Sequence, residues 1–346
     1  MNAQHGSASS SVNGRLPVAV IGCGRMGRLH ARVYSQMPGV QLVGVYDTNH
    51  DAGAAVAAEY HCLSASDARS LLPKVKAVTI AVPTQHHLAV ARFFLEAGIA
   101  CLIEKPLAKN VVEGREIVEL ARRKGAVVQV GHIERFNPAV RAMERLHIEP
   151  RFIEVTRISP MTFRSIDVGV VLDMMIHDID IVLNLARSPA AKIDAVGVGV
   201  IGEVEDICNA RITFANGCVA NLTASRLALK TERKMRVFSR DAYVSIDYQK
   251  RYGMVAYRSE NLAAVREAAA RIRSGQIQDI SQLNYPDIVK VEELEIDDVE
   301  PLRAQLESFV ACVGDGRPPA VSAEEGLAAV EVASRIVESI APGMVL

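Results

Sequence analysis

The sequence predicts two domains: an α/β domain with a doubly wound parallel sheet, then an α+β domain with a mostly antiparallel sheet. Three observations predict this. Short β-branched runs alternate with helical stretches from Pro17 to Gly131, and a G-x-G-x-x-G turn stands directly after the first of those runs. Beyond about residue 150, strand-like runs follow one another with few helices between them. The length of 346 residues supports two domains, since one domain usually takes ~100 to 200 residues.

The elements follow in order. Val18–Gly22 (VAVIG) reads as a strand with a helix behind it to Met37, and Gln41–Asp47 as a strand followed by an Ala-rich helix to about Tyr60. Ala77–Val82 and a helix to Ala97 repeat the unit, and Ala100–Ile103, a helix over Val111–Lys124 and Ala126–Gly131 continue it. The style changes near Asn137–Pro138, so the first domain is set at residues 16–135 and the second at 136–346. Residues 1–15 are small and polar and read as a disordered tail.

In the second domain the strand-like runs are FIEVTRIS, AVGVGVI, ICNARITFA, CVANLTASRLA, KMRVFSR, AYVSIDY and RYGMVAYR. One helix, about Leu172 to Ala186, interrupts them. Helices over Leu302–Val313 and Ala323–Ile340 close the chain, the last placed to pack back on the first domain. The acidic stretch Val291–Glu300 interleaves its acids with Val, Leu and Ile, as a solvated edge strand requires.

Composition excludes several functions. With 39 basic and 40 acidic residues the net charge is -1, which gives no long-range pull toward nucleic acid. The six cysteines are scattered without C-x-x-C or clustered histidine, so no metal site is expected and a reduced, cytoplasmic setting fits. The N-terminus has no apolar core of a signal peptide, and no apolar run approaches the ~18 to 20 residues that span a bilayer, so no membrane partner is expected.

The turn G-C-G-R-M-G (Gly22, Cys23, Gly24, Arg25, Met26, Gly27) has the dinucleotide spacing. Its first glycine makes the turn, its second admits a pyrophosphate to the backbone, and its third lets helix and strand pack closely, with the helix N-terminus facing the phosphates. Asp47 ends the second strand, where a carboxylate receives the ribose hydroxyls. Thr48 and Asn49 follow it, with no arginine for a 2′-phosphate, so NAD is expected over NADP.

Glu104-Lys105-Pro106 stands at the carboxyl end of the fourth strand, where ligands of open α/β sheets collect. A lysine there can hold a substrate hydroxyl and stabilise alkoxide charge; a surface lysine is the alternative. In LDMMIHDIDIVLNLA, an apolar and mostly buried helix, Asp173, His177, Asp180 and Asn184 fall on one face. Buried polar groups must be partnered or face a solvated cleft. The continuous stripe favours a site in which His177 is a general base, since histidine's ordinary pKa of about 6.5 suits that work near neutrality, with Asp173 orienting it or the substrate. Asp173 as a helix cap and His177 as a core histidine are the alternative.

With those residues in place, the chain resembles the Gfo/Idh/MocA family over roughly Leu16 to Ile340. The resemblance rests on GCGRMGRLHA, AVPTQHH, IEKPLAKNVVEG, GHIERFNPAV, the D-x-x-x-H of Asp173 to His177, and EPLRAQLESFV. It implies an NAD-binding Rossmann domain followed by an open-faced sheet domain, with Lys105, Asp173 and His177 catalytic and with Glu104 and Lys105 also among the cofactor-binding residues. Pro83 and His87 match the family's loop near the nicotinamide; His86 does not. GHIERFNPAV and DVGVVLDMMIHDIDI further resemble the branch of UDP-N-acetylglucosamine 3-dehydrogenases. That branch oxidises the sugar C3 hydroxyl to a ketone, which a pyridoxal-phosphate aminotransferase converts to a 3-amino sugar for lipid A or another surface glycan. Relatives act on the uronate form of the sugar or on polyols, and some relatives of the fold are non-catalytic NAD-binding regulators, which would lack the lysine or the histidine. A homodimer or homotetramer is expected from the family's open sheet face. Arg135, Asn137 and Arg164 are candidates to reach a diphosphate or sugar hydroxyls, with a salt bridge as the other reading of each arginine.

Overall fold

The computed structural model describes residues 14–162, 167–201, 203–258, 262–276 and 289–340. The expected tail falls largely in 1–13, outside the described residues. Two compact units emerge, one of residues 1–133 with 300–331 and the other of 134–299 with 332–346.

In the first unit β1 (Leu16–Ile21), β2 (Val40–Tyr46), β3 (Leu63–Ser64), β4 (Ala77–Ile80), β5 (Ala100–Glu104) and β6 (Val128–Gly131) form a parallel sheet in the order β3-β2-β1-β4-β5-β6. The order reverses between β1 and β4, and the crevice at that reversal is where such sheets bind ligands. Val18 to Ile21 are wholly buried, as a strand covered on both faces must be, which is why these strands read as continuous apolar runs. α1 (Arg25–Ser35), α2 (His50–Glu59), α3 (His87–Glu96) and α4 (Val111–Lys124) connect them. Asn49 caps α2 by accepting from the N–H groups of Asp51 and Ala52, and Asn110 caps α4 by accepting from Glu113 at 2.9 Å. Gly125 ends α4 at φ +61°, a left-handed conformation that glycine takes without strain.

The second unit holds α5 (Pro138–Glu144), β7 (Phe152–Ile158), α6 (Ile176–Ala186), β8 (Ala190–Val198), β9 (Ile207–Phe214), β10 (Val219–Ser225), β11 (Glu232–Phe238), β12 (Ala242–Asp247), β13 (Tyr252–Arg258), α7 (Leu262–Arg273) and β14 (Val289–Glu293). Its sheet runs β14-β13-β12-β11-β7-β10-β9-β8, antiparallel throughout except where β7 and β10 lie parallel. Alternation is regular: on β9, Cys208, Ala210, Ile212 and Phe214 are buried while Ile207, Asn209 and Arg211 are exposed. α5 packs against β12 and β13, and α6 against β10. The acidic stretch contributes edge strand β14 only as far as Glu293; Arg145 then binds the Glu295 carbonyl and the Asp297 carboxylate. α7 has no counterpart among the sequence expectations, although its Ala, Arg and Glu residues are good helix formers.

α8 (Pro301–Asp315) and α9 (Ala323–Ser339) end the described chain. Leu302, Leu306 and Phe309 enter the first unit's core with Val18, Val20 and Tyr34, and Val321, Ala323 and Val330 enter the core on the sheet's other face. Gln129 of β6 donates to the Gln305 carbonyl at 3.0 Å, and Val130 donates to that of Val321. From Val332 onward α9 belongs to the second unit, where Arg335 donates to the Ala190 carbonyl at 2.8 Å. No helix of the described residues is long and apolar enough to cross a membrane.

Candidate active site

In the first unit a cleft of about 590 Å³ opens at the β1/β4 reversal, lined among others by Gly22, Gly24, Asp47, Thr48, Pro83 and His86. The three glycines occupy their positions for different reasons. Gly22 has φ +95°, and a Cβ there would lie 2.5 Å from the Ala81 carbonyl oxygen. A Cβ on Gly27 would lie 1.7 Å from the Gly22 carbonyl oxygen, whereas one on Gly24 would meet nothing within 4 Å, so the space over Gly24 is open to a ligand. α1 begins at Arg25 and Met26 with no side-chain cap and no acid in its first turn, leaving its N–H groups and positive end to an anion.

Asp47 is locked in place. Its Oδ2 accepts from the Cys23 N–H at 2.6 Å and its Oδ1 from the Asn49 N–H at 2.8 Å, which ties the end of β2 to the glycine turn and leaves further lone pairs for hydroxyl donors. Burial, with Asp47 and Cys62 nearby, pushes the Cys23 thiol up to about 12, so Cys23 is packing and not a nucleophile. An open cradle, a bare helix end and a fixed carboxylate together fit a dinucleotide.

At the end of β5, buried Glu104 lies 2.9 Å from His30 Nε2, and the Lys105–Pro106 peptide is cis. Burial works against the Glu104 charge, but His30 and Lys105 outweigh it and hold the carboxyl below its ordinary value. His87 is also buried: Nδ1 lies 3.0 Å from the Pro106 carbonyl oxygen and Nε2 3.0 Å from that of Val82. Both nitrogens contact main chain, so His87 braces the loops after β4 and β5. Burial pushes its pKa down against those carbonyls.

In the second unit a π turn, Val171–Met175, leads into α6 and carries Asp173. The turn is held from outside. Buried Glu205 accepts the Val170 N–H on its carbonyl and the Val171 N–H on Oε1 at 3.1 Å, while Arg226 binds both the Val168 carbonyl and Asp206. Gly169 makes room for this, because a Cβ there would lie 2.0 Å from Glu205 Oε1. Asp173 and His177 are half-buried at the start of the helix.

The expected stripe divides here. Asp180 is buried and takes the Arg135 fork at 2.8 and 3.2 Å, and Asn184 donates to Glu144 at 2.5 Å. Arg135 thus makes the kind of ion pair that is the other reading of that residue. Asn137 caps α5 through the Ala139 N–H and donates to Glu134 at 3.1 Å, so its polar groups are likewise engaged in the fold. Arg164 lies outside the described residues. Behind the helix, Arg157 places its fork on Asp178 at 2.7 and 2.8 Å and its remaining arm on Glu134 at 3.0 Å. Burial opposes the Arg157 charge, but the two carboxylates outweigh it and keep the guanidinium charged. This network was missed from sequence, although a signal existed: Arg157 occupies an inward position of β7, in step with Ile153 and Val155. Also missed were Asp67, Ala68, Arg69 and Phe93 in the cleft, which lie far from the glycine turn in sequence.

Comparison with known proteins agrees with this architecture. An oxidoreductase-family model with an NAD-binding Rossmann fold matches residues 16–132, and the GFO/IDH/MocA C-terminal domain matches 151–245. UDP-N-acetylglucosamine 3-dehydrogenase of Acidithiobacillus ferrooxidans is 40% identical over 230 residues, 66% of this chain and 73% of the relative. A solved structure of that enzyme superposes with a TM-score of 0.83 at 31% identity, covering 94% of this chain and 98% of the other. Inositol 2-dehydrogenase of Rhizobium meliloti is 24% identical over 93% of this chain and 96% of its own.

Proposed function

The chain belongs to the Gfo/Idh/MocA family of oxidoreductases, and on that premise we propose that it oxidises the C3 hydroxyl of UDP-N-acetylglucosamine to a ketone with NAD. When bound, NAD supplies the hydride acceptor. Lys105 donates a hydrogen bond to the substrate hydroxyl oxygen and stabilises the negative charge that builds there. His177 takes the hydroxyl proton on a ring nitrogen, and Asp173 orients it. The glycine turn with Arg25 and Met26 would hold the pyrophosphate and Asp47 the adenosine ribose, with Pro83 and Glu104 bordering the nicotinamide end. The fixed Asp47 carboxylate, which would repel a 2′-phosphate, supports NAD over NADP.

The observation that carries the substrate is the 40% identity to a UDP-N-acetylglucosamine 3-dehydrogenase. On this reading the ketone passes to a pyridoxal-phosphate aminotransferase, and the enzyme works in the cytoplasm as a homodimer or homotetramer. The test is to mix protein, UDP-N-acetylglucosamine and NAD or NADP, and follow reduced nicotinamide with and without glutamate and a 3-keto-sugar aminotransferase. NADH should form with this sugar and rise when the ketone is drawn off. Silence in both arms, with NADH binding intact, rejects the substrate and directs the search to uronate sugars and polyols.

A further inference from the structure

The cleft that carries Gly22, Gly24 and Asp47 continues past the ribose carboxylate to a wall that phosphate or ribose recognition does not explain. Ala68, Val90 and Phe93 make it apolar, and Arg69 stands on it as a single planar cation. Arg69 Cζ lies 5.8 Å from the centroid of the Phe93 ring, and Phe93 packs on Phe94 of the same helix at 4.6 Å. The Arg69 main chain is pinned as well, because its N–H donates to Asp67 Oδ1 at 2.9 Å. A pinned backbone and an aromatic neighbour restrict where the guanidinium can lie.

An apolar wall with one planar, weakly hydrated cation matches a purine ring better than a phosphate. Guanidinium stacks on π faces as well as pairing with anions. The group joined to the ribose that Asp47 holds is the adenine, and it must fall on the lining beyond Asp47. We infer that Arg69 is the stacking cap of the adenine subsite, its guanidinium lying on the base while Val90 and Phe93 border the ring. The inference rests on the dinucleotide reading of the cleft. It gives Arg69 the work of holding the base and leaves the choice between NAD and NADP to Asp47.

Plane and charge can be separated by substitution. NADH affinity is read from nicotinamide fluorescence, which this tryptophan-free chain leaves unobscured, and AMP affinity from competition against NADH. Arg69→Ala should weaken both by about tenfold, the scale of one lost base stack. Arg69→Lys, which keeps the charge without the plane, should be no better than Arg69→Ala; Arg69→Tyr, which keeps the plane, should stay within about threefold of the wild type. Wild-type affinity in Arg69→Ala, or in Arg69→Lys, overturns the stack while the dinucleotide site stands. A loss confined to NADPH overturns it too, by making Arg69 a 2′-phosphate ligand. Failure of the wild-type protein to bind NADH overturns both readings at once.

Discussion

At the scale of single residues, the chemistry divides between groups that touch ligand and groups that hold them. His177→Ala and Lys105→Ala should each lower kcat by at least about 100-fold, the usual range for a lost acid-base group, while NADH titrations stay near the wild-type value. Full activity in either variant would remove that residue from the mechanism. Gly27→Ala should cost roughly 3 kcal/mol and abolish NADH binding, since its Cβ would lie 1.7 Å from a main-chain oxygen that cannot step aside. Glu104 makes a pH prediction. Its folded pKa is held below the ordinary carboxyl value, so it stabilises the fold above the unfolded value of about 4.3 and loses that contribution as pH falls through the folded value. Glu104→Gln should therefore be less stable than wild type at pH 7, with the gap in urea midpoint narrowing below about pH 4.

At the scale of elements, the entry to α6 depends on partners remote in sequence. Arg157→Met leaves Asp178 and Glu134 without their shared cation in a buried place and should cost about 3–5 kcal/mol in urea unfolding. Gly169→Ala should displace the Glu205 carboxylate from the Val171 N–H and cost about 1–2 kcal/mol, with activity falling because Asp173 sits on that turn. These contacts mark what could be read beforehand. The strands were legible because covered parallel strands are apolar runs and half-covered ones alternate, and His177 stood out as a charge-capable group in an apolar helix. The sorting of Asp173, His177, Asp180 and Asn184 was not legible. It turns on Arg135 and Glu144, which lie 45 and 40 residues away from their partners, and on a π turn that leaves no mark in residue spacing. The wall of the cleft at Arg69 and Phe93 stayed hidden for the same reason.

At the scale of the whole molecule, the first unit is discontinuous, because residues 300–331 complete a core begun by residues 16–133. A fragment ending at residue 133 would leave the surface that receives Leu302, Leu306 and Phe309 bare, and should bind a hydrophobic dye and aggregate. The same fragment linked to residues 300–331 should lose that dye signal and unfold cooperatively; equal behaviour of the two would show that α8 and the start of α9 are dispensable to this core. A ribosome lengthens a chain from one end at roughly 5–20 residues per second. The nucleotide-binding half, translated first, therefore has to wait some ten seconds or more, through the whole of the intervening sheet, before the residues that finish it emerge. Until then the apolar surface that α8 will cover stands bare on the growing chain, the kind of exposed face that makes a folding intermediate prone to aggregate.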